Sequence, residues 1–173
     1  MDRRHVHGAL PGRVPQTRCL NGWKWGYLSA AGECFDIGMT VREALATFEE
    51  QGDPFAGSTN PRSAGNGSMM RLAPVVLFYF PDPQQVDDFT RQSARTTQGA
   101  QEAVECCVVW ARAISQALNG ATKDQMLSVS DAELLAPKVV SIARGDYRQK
   151  TRDEIIGSGY AVASLEAVLW CLL

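Results

Sequence analysis

A long amphipathic segment in the second half of the chain most strongly constrains the fold. Its apolar residues recur at three- and four-residue steps, at Val104, Cys107, Val108, Ala111, Ile114 and Leu118. This spacing places one apolar stripe along an α-helix. Asn119 and Gly120 follow the stripe and are typical of a helix end. The segment is therefore predicted to be a helix that turns this stripe toward a core.

Helix signals recur along the rest of the chain, whereas no segment shows the two-residue alternation of a strand. Capping boxes, in which side chains bind free backbone N–H groups at a helix start, are predicted at Thr40-Val-Arg-Glu43, Thr122-Lys-Asp-Gln125 and Ser130-Asp-Ala-Glu133. Asp82-Pro83 and Ser158 are predicted to start two more helices. Pro137 is expected to interrupt or kink the helix after Ser130. The predicted fold class is all-α.

Composition excludes several classes of function. A chain of 173 residues forms one domain at most. A net charge of −2 gives no electrostatic case for binding nucleic acid or anionic membranes, and neither partner is expected. No apolar run approaches the ~20 residues that span a bilayer. The five cysteines lack metal-site spacing, so we expect reduced thiols in a cytoplasmic protein.

A glycine-rich loop carries the clearest functional signal. Residues 63–74 read Ser-Ala-Gly-Asn-Gly-Ser-Met-Met-Arg-Leu-Ala-Pro and precede an apolar run. Glycine lets a ligand approach the backbone closely, while Asn66 and Ser68 supply side-chain donors and helix caps. N–H groups at a helix start can hold phosphate or another anion. The pattern indicates an anion-binding loop or, alternatively, a Gly-Asn turn that leads into a core helix.

The loop resembles the Gly-Asn-Gly-Ser-x-Met-Arg-x-Ala-Pro segment of the ADP-ribosylglycohydrolase family, the relatives of dinitrogenase reductase-activating glycohydrolase. Further segments occur in the family's order: Gly26-Tyr-Leu-Ser29, Cys34-Phe-Asp-Ile-Gly38, Ser93-Ala-Arg-Thr-Thr97 and Gly159-Tyr-Ala-Val-Ala-Ser-Leu-Glu-Ala-Val-Leu-Trp170. The resemblance covers residues 23–173. It implies an orthogonal helical bundle, a two-metal centre with Mg²⁺ or Mn²⁺, and hydrolysis of the N- or O-glycosidic bond to ADP-ribose. The implied partner is ADP-ribose or an ADP-ribosylated protein.

The resemblance also implies which residues contact the ligand. The diphosphate and the ribose beside the scissile bond would lie along Gly65, Asn66, Gly67, Ser68, Met69, Met70 and Arg71. Arg71 has the alternative of a salt bridge within the fold. Gln98 stands where many family members have a histidine that contacts ADP-ribose; its alternative is a polar helix start. Gly159 and Tyr160 would line the nucleoside end, and the alternative for Tyr160 is a core position.

The metal-binding motifs of the family are missing from this sequence. The family takes most metal ligands from an early Thr-Asp-Asp and a late Asp-x-Asp-Thr, and neither occurs here. Asp87-Asp88 is an adjacent acidic pair in a plausible helix, but its neighbours do not match. We therefore expect a bundle incomplete at both ends, with no catalytic residue, no bound metal and no hydrolase activity in this chain alone. The alternatives are a metal-independent ADP-ribose-binding remnant and a non-functional helical fragment.

Residues 1–22 match no family segment and are treated apart from the partial family domain at 23–173. Residues 3–16 can be back-translated into a coding string that reads Asp-Asp-Thr-Ser-Thr-Ala-Leu when shifted by one base. That reading resembles the start of the family's metal-binding helix. Our hypothesis is that the N-terminus is a frameshifted copy of this motif.

Overall fold

The structure, a computed structural model, describes residues 13–173 and contains nine α-helices in that range. They are α1 (Arg13–Trp25), α2 (Met39–Gln51), α3 (Gly67–Met70), α4 (Ala73–Tyr79), α5 (Pro83–Arg95), α6 (Gln101–Leu118), α7 (Lys123–Met126), α8 (Pro137–Ala143) and α9 (Ala161–Cys171). Short 3₁₀ turns lie at Pro61–Ser63, Asp146–Gln149 and Arg152–Glu154. Strand-like pairing in the described range is limited to two isolated bridges. The all-α prediction is confirmed.

Helix α6 lies at the centre of the bundle and contacts α3, α4, α5, α7, α8 and α9. Its small side chains are wholly buried: Ala103, Cys106, Cys107, Val108, Val109, Ala111 and Ala113 are each 0% exposed. Small residues allow neighbouring backbones to approach closely on several sides of one helix. The predicted stripe is therefore only part of the buried surface, and Leu118 at its outer end is 42% exposed.

Two apolar clusters flank α6. Helices α8 and α9 supply Ile142, Leu165 and Leu169 to one cluster, and α4 and α5 supply Val76 and Val86 to the other. Each fully buried large aliphatic side chain contributes about 1.5–3 kcal/mol of transfer free energy. The core thus consists of two layers that share α6.

Polar side chains of α6 fix an irregular segment at residues 130–136. Buried Glu105 accepts backbone hydrogen bonds from Leu135 at 3.1 Å and Ala136 at 2.8 Å. Arg112 pairs with Asp87 of α5 at 2.5 Å and donates to the backbone carbonyl groups of residues 130 and 132. These bonds satisfy backbone groups that have no helical partner.

This arrangement corrects the capping box predicted at Ser130. Residues 130–136 form no helix: Glu133 has a left-handed φ of 64°, and the following N–H groups bind Glu105. Ser130 Oγ accepts instead from the N–H of Ala132 at 3.2 Å. Pro137 interrupts nothing, because it is in the first turn of α8.

The other helix-start predictions have mixed outcomes. The capping box at Thr122 is present, and Asp82 caps α5 by accepting from the N–H of Gln85. The box at Thr40 is wrong, because α2 begins at Met39 and has no side-chain cap. Ser158 lies before the N-cap of α9, which is Tyr160.

No helix in residues 13–173 is both long enough and apolar enough to cross a bilayer.

Thr90 on α5 provides a test of the packing around α6. Its side chain is 0% exposed, and its hydroxyl has no hydrogen-bond partner among the described residues. Replacing an unpaired buried hydroxyl by a methyl group of the same shape removes a desolvation cost. Thr90→Val is expected to raise the free energy of unfolding by about 1 kcal/mol in urea denaturation.

Thr97→Val is the matched control, because the buried Thr97 hydroxyl donates to Gln98 Oε1. This variant should lose about 1–2 kcal/mol, since it leaves the Gln98 oxygen with one donor fewer. Equal changes in the two variants would contradict this description of the α5 interior.

Candidate functional site

The glycine-rich loop is joined to the start of α9 by backbone hydrogen bonds. The Asn66 N–H donates to the Gly159 carbonyl at 3.0 Å, and the Ala161 N–H donates to the Ala64 carbonyl at 2.9 Å. Asn66 also donates from Nδ2 to Ser164 Oγ on α9 at 2.8 Å. Asn66 is the N-cap residue of α3, but its side chain makes this tertiary contact and no cap hydrogen bond. Two segments far apart in sequence, both predicted to contact ligand, thus lie side by side.

Gly67 is fixed from the opposite side by Gln98. The Gln98 side chain is 1% exposed, and its Nε2 donates to Thr40 Oγ1 at 3.2 Å. A Cβ atom on Gly67 would lie only 3.0 Å from Gln98 Nε2. A side chain at position 67 would therefore be tightly packed against a buried amide, and Gln98 supports the loop from within the protein.

Ser68 is held from beneath by α6. It is 2% exposed, and its Oγ accepts from the Cys107 thiol at 3.2 Å. Burial raises the pKa of the Cys107 thiol to about 11, so the thiol stays protonated near neutral pH and can donate. The N–H groups of Gly67 and Ser68 donate to no other described residue. The first turn of α3 therefore has two N–H groups without an acceptor, while the Ser68 side chain in the same turn is fixed to α6.

Arg71 is half-buried at the end of the loop and binds only neutral acceptors. Its Nη2 donates to the Ser93 carbonyl at 2.8 Å and to Thr96 Oγ1 at 3.0 Å. Its Nη1 donates to the Gly67 carbonyl at 3.4 Å and to Gln98 Oε1 at 3.5 Å. No carboxylate of the described residues pairs with it. Within the described residues, Arg71 therefore makes hydrogen bonds and no salt bridge.

Tyr160 is tied to α6 and α8. Its hydroxyl donates to Glu102 and accepts from Lys138 Nζ at 3.0 Å, and that ammonium group lies 5.2 Å from the ring centroid. Burial raises the pKa of the Tyr160 hydroxyl. The Tyr160 ring therefore makes a cation–π contact with Lys138, and its backbone lies next to Gly65 of the loop.

A groove of about 440 Å³ runs between the loop and α9. Its lining includes Asn66, Met69, Met70, Trp110, Ser164 and Val168. Met70 is 81% exposed there. The other predicted residues do not line it, namely Gly65, Gly67, Ser68, Arg71, Gln98, Gly159 and Tyr160. The structure therefore separates the predicted residues into a groove wall and an internal support.

Thr40 and Cys107 belong to this support and Ser164 binds Asn66 in the groove wall, although no prediction assigned these three residues to the site. Thr40 has the sequence pattern of a helix cap, and Cys107 that of a core position. Because these patterns are explained by a local helix cap and by a core position, the sequence did not predict that either residue contacts the distant loop.

The described residues do not fit a two-metal centre. They contain no group of three or more His, Cys, Asp or Glu side chains placed to hold an ion. In the acidic pair at 87–88, the Asp87 carboxylate is bound by Arg112. We therefore derive no chemical step through a metal.

The sequence model of the family described as ADP-ribosylglycohydrolase matches residues 4–173. The chain belongs to this family. The match includes part of the segment 1–22. This segment lies mostly outside the described residues, and the frameshift hypothesis for it stays a prediction.

Two curated relatives are each named ADP-ribosylarginine hydrolase Tri1. The protein from Pseudomonas putida (strain GB-1) is 40% identical over 152 residues, which are 87% of this chain and 40% of the relative. The protein from Serratia proteamaculans (strain 568) is 32% identical over 165 residues, 95% of this chain and 45% of the relative. The chain thus spans less than half the length of either.

A solved chain described as an ADP-ribosylglycohydrolase-related protein complex has a related fold. It matches with a TM-score of 0.73 and 34% identity, over 95% of this chain and 52% of that one. The predicted bundle type is confirmed.

The two loop glycines should respond differently to a methyl group. Gly67→Ala places Cβ 3.0 Å from Gln98 Nε2, whereas Gly65→Ala meets nothing closer than Thr40 Oγ1 at 3.6 Å. Overpacking of this kind costs about 1–3 kcal/mol. Gly67→Ala should therefore lower the melting temperature clearly and Gly65→Ala only slightly. A larger loss in Gly65→Ala would show that Gln98 does not support the loop as described.

Proposed function

We propose that this chain carries the ADP-ribose-binding part of an ADP-ribosylglycohydrolase, and that the diphosphate lies along residues 65–71. The observation that supports this most directly is the pair of free N–H groups at Gly67 and Ser68. They lie in a turn whose neighbours are fixed by Gln98 and α6. Fixed backbone donors suit phosphate oxygens, because they need no reorganisation on binding.

The acceptor that we propose is a protein arginine. The two curated relatives are named as ADP-ribosylarginine hydrolases, and this chain aligns with them over most of its length. The natural substrate would then be ADP-ribose in N-glycosidic linkage to a guanidinium group. In this proposal Asn66, Met69 and Met70 form the wall of the ligand groove. We propose Gly159 for the nucleoside end; its carbonyl accepts from the Asn66 N–H, which keeps it beside the loop.

Gln98 and Tyr160 have other roles in the proposed site. Gln98 is buried and acts through Gly67, so it supports the loop and has no direct role in proton transfer. Tyr160 keeps its place at the nucleoside end as a proposal, with Lys138 on its ring.

For the 173-residue chain alone we propose binding without hydrolysis. The family resemblance associates cleavage with two Mg²⁺ or Mn²⁺ ions, which would orient ribose hydroxyls and activate water. The described residues supply no group of ligands for such ions. What they supply is a rigid set of donors for the phosphates and an apolar groove beside them.

Calorimetry with ADP-ribose tests the proposal directly. Binding is expected with a dissociation constant unchanged by EDTA, because no metal takes part. In parallel, incubation with an arginine-ADP-ribosylated protein and Mg²⁺ should release no ADP-ribose. EDTA-sensitive release would overturn the proposed lack of hydrolysis. Absence of binding by the folded chain would overturn the proposed ADP-ribose site.

A carboxylate at the groove should weaken binding by charge repulsion. Met70→Glu places it on the proposed groove wall at a side chain that is 81% exposed, so the fold should be unaffected. We expect the affinity for ADP-ribose to fall about tenfold, equivalent to about 1.4 kcal/mol.

Leu77→Glu on α4 is the matched control, because Leu77 is also exposed (60%) and does not line the groove. Its affinity should stay near that of the original chain. Equal losses in both variants would mean that net charge, and not position, determines the effect.

A further inference from the structure

We infer that Arg71 is a positioning residue that attracts the anionic ligand by its uncompensated charge, while its bonds stay within the protein. This inference rests on the proposed function and assigns a specific role within that site. Direct phosphate contact by Arg71 is the alternative that the geometry disfavours.

The hydrogen bonds of Arg71 are already directed inward. Both terminal nitrogens donate to protein acceptors, namely two backbone carbonyls, one hydroxyl and one side-chain amide. These contacts connect the end of α3 with the end of α5 and with the turn before α6. A guanidinium held in this way would have to break bonds at 2.8 and 3.0 Å to turn Nη2 toward a ligand. The side chain therefore works as a fixed brace.

The charge on this brace has no counter-ion in the described part of the protein. Burial lowers the pKa of the Arg71 guanidinium, but arginine stays protonated in proteins. The titratable groups that act on it electrostatically are the thiols of Cys19 and Cys107, neither of which is a carboxylate, and burial raises the pKa of the Cys107 thiol to about 11. The ion pairs of the described residues join other cations to Asp or Glu, and none of them includes Arg71.

The position of this charge suits the proposed diphosphate site. Arg71 Nη1 lies 3.4 Å from the carbonyl of Gly67, the residue whose N–H is free at the start of α3. Charge interactions extend beyond hydrogen-bond distance and are screened less when one group is partly buried. A fixed positive charge therefore lies next to the turn that carries the free N–H groups.

Gln98→Glu cancels this charge without removing Arg71. Gln98 Oε1 is 3.5 Å from Arg71 Nη1, so a carboxylate there would form an ion pair with the guanidinium. Dissociation constants are measured for ADP-ribose, which carries two phosphate charges, and for adenosine, which carries none. Gln84→Glu on the exposed face of α5 is the control, because it makes the same substitution away from Arg71.

We expect Gln98→Glu to weaken ADP-ribose binding about tenfold while adenosine binding changes less than about twofold. Gln84→Glu should leave both unchanged. Equal weakening of both ligands, or no weakening of either, would overturn the inference. Failure of the unmodified chain to bind ADP-ribose would instead overturn the proposed function itself.

A second pair of variants covers the case in which Gln98→Glu does not fold. Arg71→Lys keeps the charge but cannot make all four contacts, whereas Arg71→Met removes both. If charge matters, both variants lose thermal stability, and Arg71→Lys alone keeps the preference for ADP-ribose over adenosine. Loss of that preference in Arg71→Lys as well, or its retention in Arg71→Met, would overturn the inference.

Discussion

The close packing of α6 is the constraint on which the rest of this structure depends. Alanine, valine and cysteine side chains along α6 are wholly buried, and its neighbours approach it on several sides. The same helix carries the polar groups that fix irregular segments: Glu105 binds two backbone N–H groups after α7, and Arg112 binds Asp87 and two carbonyls. Since close-packed interiors transmit small displacements, the loop that rests on α6 inherits its rigidity.

Side chains hold the glycine-rich loop in place, whereas the groups of the loop that are free to bind are backbone N–H groups. Behind it lie a thiol, an amide and a guanidinium with no carboxylate partner in the described residues, and each binds one element to another. The loop also carries two backbone N–H groups without an acceptor in the described residues, and a groove with an apolar wall runs along its Asn66, Met69 and Met70 side. A fixed polar support for a small number of donors is the arrangement that anion recognition needs, because the donors are oriented before the ligand arrives.

Membership of the ADP-ribosylglycohydrolase family and the related fold together explain why the predicted ligand segments lie adjacent to one another. The solved relative shares the fold over 95% of this chain, although this chain spans only 52% of it. The residues in the described range do not assemble a metal site. The loop itself is held by packing and hydrogen bonds within the described range, and ADP-ribose binding without hydrolysis is what we propose for it.

Sequence alone determined the helical class, the start of α5, the end of α6 and the glycine-rich loop, because these depend on local periodicity, capping residues and backbone freedom. Tertiary structure decided which partner each polar side chain binds. Thr40 has the pattern of a helix cap but binds Gln98, and Ser130 has the same pattern where no helix forms. Gln98 binds the Thr40 hydroxyl, and Glu105 binds the N–H groups of residues 135 and 136 in the segment after Ser130, so each segment is held by a partner distant in sequence. No local pattern reveals such a partner, because only the packing of helices around α6 brings the two groups together.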